Sequence, residues 1–387
     1  MKRGIATFTL DYGKCPPWLF ERMVKLGREV TRIIVEDFGS DEFIARLGDP
    51  VWFQSLGTVL AFDWNASGLT TILTAALKES IRGHERDLGV FICGGKGKTS
   101  RKTPDEIMRW GEWLSLPEGQ ASNLVHNSKM SAKVDSALVQ DGFDIYHHAF
   151  MFSRRGAWTV VQQGMNTQKG RARRYHWSSQ KITDLIVEPH SGISSQPTGE
   201  AHVTLNMTDK NIDKNRALAV ELIDAGFPAV MKEIEILRRH SSALGKMLAV
   251  KNERQQELVF LDLPGREFRT HPVVKEDFAK SRYLDKVLGA LTEIKPKSYK
   301  DLVAVRGVGP KTVRALALVG EVIYGAPASY EDPARYSFAH GGKDATPYPV
   351  DRRTYDKTIE TFKHVVGRTK LDLSEKKKIV ARLEQAR

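Results

Sequence analysis

The chain has 387 residues, 41% of them hydrophobic and 27% charged, with 59 Lys and Arg against 47 Asp and Glu for a formal net charge of +12. This composition supports packed cores, in two or three domains at about 100–200 residues each, and excludes a disordered tail protein. Two cysteines, Cys15 and Cys93, exclude a disulfide scaffold and a Cys-only zinc site. No apolar run approaches the roughly 18–20 residues of a membrane span, and the apolar stretch after Met1-Lys2-Arg3-Gly4 stops at Asp11, which makes a poor signal peptide.

The expectation is therefore a cytoplasmic protein with no membrane partner. Its basic balance favours polyanions, nucleic acid first.

In chain order, Ala6-Thr7-Phe8-Thr9-Leu10 reads as a strand, and apolar residues at helical spacing follow from Pro17 to about Val35. Asp63-Trp64-Asn65-Ala66-Ser67-Gly68 is a turn that caps a helix over Leu69–Ile81, although Asp63 is also a possible metal ligand. Leu88–Cys93 reads as a buried strand running into Gly94-Gly95-Lys96-Gly97-Lys98. This strand, helix, strand order suggests an α/β unit. The glycine-rich run has the look of a phosphate-binding loop, but the required spacing is absent. A basic loop that touches DNA backbone through Lys96 and Lys98 is the better reading than an ATP site.

A helix opens at Pro104 with Thr103 as its N-cap and Glu106 three residues on, and another spans about Ser128–Leu138. Ile145–Phe152 and Ala157–Val161, around Ser153-Arg154-Arg155-Gly156, give a hairpin signal. Residues 178–215 are polar and loop-like, and beyond them helices are expected at 217–237, 277–294, 299–324, 354–366 and 374–386. Glu253–Asp262 is a short strand or an interdomain segment. The fold class expected is α+β: a mixed α/β part with a β-hairpin over 1–210, carrying the chemistry, followed by an all-α DNA-binding part over 211–387.

The densest chemistry lies in the middle of the chain. Metal-dependent nucleases hold Mg²⁺ or Mn²⁺ with hard oxygen ligands beside the scissile phosphate and need a group to position the attacking water. Asp135, Asp141 and Asp144 can supply the metal ligands, with His147 or His148 and Gln162 completing the catalytic set. Neighbouring strand residues face opposite ways, so one face sets one His beside one Gln. The alternatives are a helix cap at Asp135, a turn at Asp141-Gly142 and core histidines. Downstream, Arg171, Arg173 and Arg174 with Tyr175 and Trp177 suit a backbone groove with stacking platforms for unpaired bases; a solvated loop is the alternative.

The sharpest local signal is Leu302-Val303-Ala304-Val305-Arg306-Gly307-Val308-Gly309-Pro310-Lys311-Thr312-Val313-Arg314. Two glycines permit a tight turn between helices, Val308 can plug the gap, and the second helix's N-terminus presents an anion site. This resembles the helix-hairpin-helix of DNA repair proteins, here within 299–324. The resemblance implies a grip on duplex phosphates through Gly307 to Gly309, with Arg306, Lys311, Thr312 and Arg314 alongside. Many glycosylases of that class place a catalytic Lys in the hairpin and an essential Asp after it. Lys311 and Asp351 match in kind, but their separation of 40 residues exceeds the family's usual spacing. An insertion, Gly325 to Tyr348 with Tyr336–Asp344 inside it, would have to loop out between them.

Trp52–Gly57, Val90–Lys98, Asp141–His148 and Val160–Met165 together resemble an uncharacterised archaeal and bacterial domain-of-unknown-function family. The functional expectation is a DNA-processing enzyme of repair or recombination type. A metal-dependent nuclease acting on structured or partly unpaired DNA leads. A glycosylase/lyase using Lys311 and Asp351 and a non-catalytic DNA-binding accessory protein are the alternatives.

Overall fold

The computed structural model describes residues 9–10, 13–60, 66–195, 204–240, 281–334, 352–370 and 372–385. Residues 6–8 of the expected Ala6–Leu10 strand, the Asp63–Asn65 part of the cap, the Glu253–Asp262 segment, the Tyr336–Asp344 segment and Asp351 lie outside the described residues, while Thr9 forms an antiparallel bridge with Arg171.

Helices α1 (Pro17–Phe38), α2 (Ser40–Leu47), α3 (Pro50–Val59) and α4 (Ala66–Ser80) come first. Asp49 starts α3 by accepting from the backbone N–H groups of Val51 and Trp52, with Pro50 in the first turn where its missing donor costs nothing. A short helix α5 (Glu85–Leu88) leads into strand β1 (Val90–Lys96), a 3-10 segment (Gly97–Lys102) and helix α6 (Thr103–Trp113). Thr103 is the first residue of α6, not its cap: Lys102 holds the cap position, and the Thr103 hydroxyl donates back to Ser100 O at 2.7 Å. Helix α7 (Glu118–Ala137) begins ten residues before the expected Ser128 start. It is packed between sheet and helices on several sides, so no single apolar stripe marks its first half.

Strands β2 (Val139–Gln140), β3 (Asp144–Ser153), β4 (Trp158–Asn166), β5 (Arg171–Ser178), β6 (Gly192–Ser195) and β7 (Leu205–Asn206) follow. A five-stranded sheet runs β1-β3-β4-β5-β6, and β2 pairs with β7. Every pairing is antiparallel, so the α+β class holds and the α/β unit suggested by element order does not form. The strand after α6 and α7 returns alongside β1 in the opposite sense, and no crossover to a parallel neighbour is made.

Both faces of the sheet are covered, which is why its strands read as nearly continuous apolar runs. On one face Val90, Ile92, Ala149, Met151 and Val161 pack against residues of α1 to α4, among them Met23, Phe43, Phe53 and Leu73. On the other, Phe91, Cys93, Phe150, Phe152 and Val160 pack with Ile107, Leu124 and Val134 of α6 and α7.

The chain beyond Asn206 is helical among the described residues: α8 (Asp213–Asp224), α9 (Phe227–His240), α10 (Arg282–Ile294), α11 (Tyr299–Ala304), α12 (Pro310–Val322), α13 (Arg352–Arg368) and α14 (Leu373–Gln385). The single helix expected at 217–237 is broken before Phe227-Pro228, where proline lacks the donor a continuous helix needs. Ile223, Leu288, Leu302 and Val319 belong to the same apolar cluster as Phe91 and Phe152, so residues on both sides of position 210 share one core. Among the described residues no helix is long and apolar enough to cross a membrane.

Candidate nucleic-acid interface

The α11–α12 hairpin is built by short-range rules. Ser298 caps α11 by accepting from Asp301 N, and its hydroxyl donates to the Asp301 carboxylate at 2.7 Å. The turn passes through Gly307 at φ +98, where a Cβ would meet Val287 Cγ2 at 3.2 Å and the Tyr283 hydroxyl at 3.3 Å. Glycine is required there on both counts. Val308 is buried between the helices, and Pro310 opens α12. The first amides of α12 have no intrahelical acceptor and carry the positive end of its dipole. Arg306 and Lys311 are exposed beside them.

Docking against α7 and β2 fixes the hairpin. Lys133 Nζ donates to Val305 O at 2.7 Å, and Gln140 Nε2 donates to Pro310 O at 2.9 Å. Arg314 Nε donates to Gln140 Oε1 at 2.7 Å, so Arg314 serves the docking contact. Thr312 is buried and faces the core, which removes it from the expected DNA-facing set. Partial burial holds the Lys133 ammonium below its ordinary range. Next to the hairpin lies a cleft of about 450 Å³, walled by Gln140, Asp141, Asp144, Asn166 and Gln168 on one side and by Pro310 and Arg314 on the other.

The three carboxylates grouped by the sequence do not converge. Asp135 is wholly buried and receives hydrogen bonds from Gln162 Nε2 at 2.5 Å, Trp177 Nε1 at 3.0 Å and His190 Nε2 at 2.5 Å. Asp141 accepts from Arg173 and from the Tyr175 hydroxyl, both at 2.7 Å, and from Phe143 N at 3.1 Å. Burial pulls its carboxyl upward and the Arg173 guanidinium pulls it back. Asp144 alone is exposed, at the first residue of β3. Among the described residues no group of three His, Cys, Asp or Glu is arranged to hold a metal ion. The expected Asp135–Asp141–Asp144 ligand set is corrected accordingly: the lone pairs of the first two are already engaged inside the core.

His147 and His148 do point to opposite faces. His147 Nε2 lies 3.2 Å from the Thr74 hydroxyl on α4, whereas His148 faces α7. Register pairs His148 with Gln162, and its Nδ1 lies 2.9 Å from Gln162 Oε1. Asp135 fixes the Gln162 amide so that Oε1 can only accept; Nδ1 of His148 therefore carries the hydrogen, and Nε2 accepts from the Ser128 hydroxyl at 2.9 Å. Burial pushes His147 down to about 3, with His148 and Lys96 adding repulsion, and lowers His148 as well. The pattern is a satisfied core network running Ser128–His148–Gln162–Asp135–His190.

The basic-aromatic run is also corrected. Arg171–Ser178 is strand β5, paired on both edges, and Arg173, Arg174, Tyr175 and Trp177 are at most 2% exposed. None can line a DNA groove or stack on a base. Arg174 donates to Gln54 Oε1 at 3.1 Å and packs over the Phe53 ring, and burial pushes its guanidinium down to about 9. Arg171 is half-buried at the start of the strand. Lys96 and Lys98 are exposed at the end of β1 and in the following turn, as the basic-loop reading requires. The sequence reading missed His190 and Asp332, each a lone residue in polar surroundings whose partner is distant in the chain. Tyr283, whose hydroxyl donates to Gly307 O at 3.2 Å, was likewise hidden.

The fold defines an α+β protein whose antiparallel sheet is enclosed by helices and whose exposed basic features, among the described residues, include the α11–α12 hairpin and the turn after β1. The chain belongs to the family described as "Protein of unknown function (DUF763)", whose model matches residues 4–350. No curated protein and no solved structure matches it.

Proposed function

We propose that this protein binds DNA through the α11–α12 hairpin and processes a strand in the adjoining cleft, as an enzyme of repair or recombination type. The observation that carries this reading is the hairpin itself: a Gly-Val-Gly turn with Val308 as plug, open amides at the start of α12, and Arg306 and Lys311 exposed next to them. Backbone amides and cations in that arrangement grip phosphates without reading sequence. The net charge of +12 favours the same partner.

The cleft is where a strand held by the hairpin would meet reactive groups. Asp144 is the exposed carboxylate of the cleft and would serve as a protein ligand for a Mg²⁺ or Mn²⁺ ion that polarises a bound phosphate. Duplex, flap, bubble and single-stranded DNA, each end-labelled and incubated with Mg²⁺, Mn²⁺ or EDTA, test the reading. Binding that falls steeply with salt, with metal-dependent scission, is the expected result. Binding without scission under any metal would reduce the protein to an accessory role, and absence of binding at low salt would end the proposal.

A further inference from the structure

A second cleft, of about 340 Å³, lies between α4, β1 and α6. Glu106, Arg109, Trp110 and Trp113 stand three, four and seven residues apart on α6 and so share one face of that helix. At one end the Glu106 carboxylate is fixed through Oε2, which accepts from Lys78 Nζ at 2.7 Å and from Gly94 N at 2.8 Å. Both of these donors fall on Oε2, and Glu106 is part of the cleft lining. At the other end Trp110 and Trp113 have ring centroids 4.9 Å apart, and Trp113 is 52% exposed. Phe91 backs Trp110 at 5.0 Å, and the Arg86 guanidinium covers Trp113 at 3.9 Å, so both indoles are held in place.

The charge around this cleft is arranged in two zones. Lys78 is matched by Glu106, and Arg82 by Glu79 at 2.9 Å; Glu85 adds a second carboxylate to the lining. Arg109 is exposed and makes no ion pair with a described residue. Beyond the Glu106 end runs the turn that follows Gly94, where Lys96, Lys98, Arg101 and Lys102 are all exposed.

We propose that this cleft binds a nucleoside phosphate whose base carries an exocyclic amino group. Indole walls stack a base of any sequence, and a fixed carboxylate oxygen accepts from an amino group while repelling the carbonyl oxygen of thymine. The phosphate is directed to Arg109, the exposed guanidinium of the lining. A volume near 340 Å³ accommodates one nucleotide, at the small end of ligand sites. The source is either a free mononucleotide or an unpaired nucleotide within a strand. The site does not depend on the hairpin reading, because it uses none of its residues.

Titration calorimetry on the full chain with dAMP, dCMP, dGMP and dTMP tests the proposal. At least one amino-bearing nucleotide should bind about tenfold or more tighter than dTMP. Trp113→Ala should weaken binding by about tenfold. Arg109→Ala should weaken the nucleotide and leave the corresponding nucleoside unchanged. Glu106→Gln should erase the preference over dTMP; because Glu106 also holds Gly94, the two exposed variants keep the test valid if that protein fails to fold. A short single-stranded oligonucleotide binding far tighter than its mononucleotide, with steep salt dependence, assigns the site to a strand, and equal affinities assign it to free nucleotides. Lys311→Glu should leave mononucleotide binding intact. No binding of any mononucleotide or oligonucleotide, or binding indifferent to both Trp113→Ala and Arg109→Ala, overturns the proposal.

Discussion

Arg173 is held by Asp332 in a fork: Nη1 reaches Oδ1 at 2.9 Å and Nη2 reaches Oδ2 at 2.8 Å. The same guanidinium bonds Asp141 at 2.7 Å, so one buried cation ties strand β5 to the turn before β3 and to the segment that follows α12. Two carboxylates around one guanidinium satisfy the geometry that makes a buried charge tolerable.

Removing Arg173 leaves Asp141 buried with the Tyr175 hydroxyl and Phe143 N as its donors. Arg173→Ala should cost about 3–5 kcal/mol, and Asp332→Ala about 1–3 kcal/mol because Asp141 still pairs the arginine. Urea unfolding followed by circular dichroism measures both. A variant Arg173→Ala with unchanged stability and weakened DNA binding would contradict the burial.

Acid should unfold the protein early. His147, His148 and His176 are all pushed down by burial and are neutral in the folded chain. Their unfolded counterparts take up protons near pH 6.5. The stability they contribute is therefore complete above about pH 6.5 and drains as pH falls toward the folded value of about 3 for His147. Each should add up to about 1.4 kcal/mol per pH unit to the slope in that window. Urea midpoints at pH 8, 7, 6 and 5 report it, and a flat profile would show that these imidazoles titrate normally.

At Gly94, φ is +83 and a Cβ would lie 2.3 Å from His148 O and 2.4 Å from Thr103 Oγ1. The first obstacle is sheet backbone and cannot move aside. Gly94→Ala should cost more than about 3 kcal/mol and impair soluble expression. Gly307→Ala, whose obstacles are side-chain ends, should cost about 1–2 kcal/mol and weaken DNA binding more than folding. Thermal melts beside binding titrations separate the two effects.

Lys311 is exposed, so its loss should spare the fold. Lys311→Ala should lower DNA affinity equally across sequences and reduce the slope of log affinity against log salt by about one. Fluorescence anisotropy between about 50 and 300 mM salt is the assay. An unchanged slope would remove Lys311 from the phosphate contacts.

Asp144 and Asp135 should part company. Asp144→Ala, at an exposed position, should keep the melting temperature and abolish metal-dependent scission. Asp135→Ala strands the donors of Gln162, Trp177 and His190 in the core and should destabilise by about 3 kcal/mol or more. Melting curves and cleavage assays on both proteins decide between a catalytic and a structural carboxylate.

Much of the architecture was legible because it rests on short-range causes. The β-prone runs Ile145–Phe152 and Ala157–Val161 around Ser153–Gly156 predicted the hairpin, and strand periodicity set one His beside one Gln; the register makes them His148 and Gln162. Pro310 and the two glycines before it marked a turn between helices by their backbone restrictions alone. Charge and composition pointed to a polyanionic partner for the same reason: they are sums over the chain and need no coordinates.

What tertiary structure decided was the environment of each polar side chain. Arg173, Arg174, Tyr175 and Trp177 have the composition of a nucleic-acid groove, yet they form a buried strand because Asp141, Asp332, Gln54 and Asp135 arrive from distant parts of the chain to satisfy them. Asp135 and Asp141 look like metal ligands next to Asp144 until the fold turns them inward and leaves Asp144 outside. Local sequence fixes backbone preference and facing, whereas burial and partnership are long-range properties of the closed core.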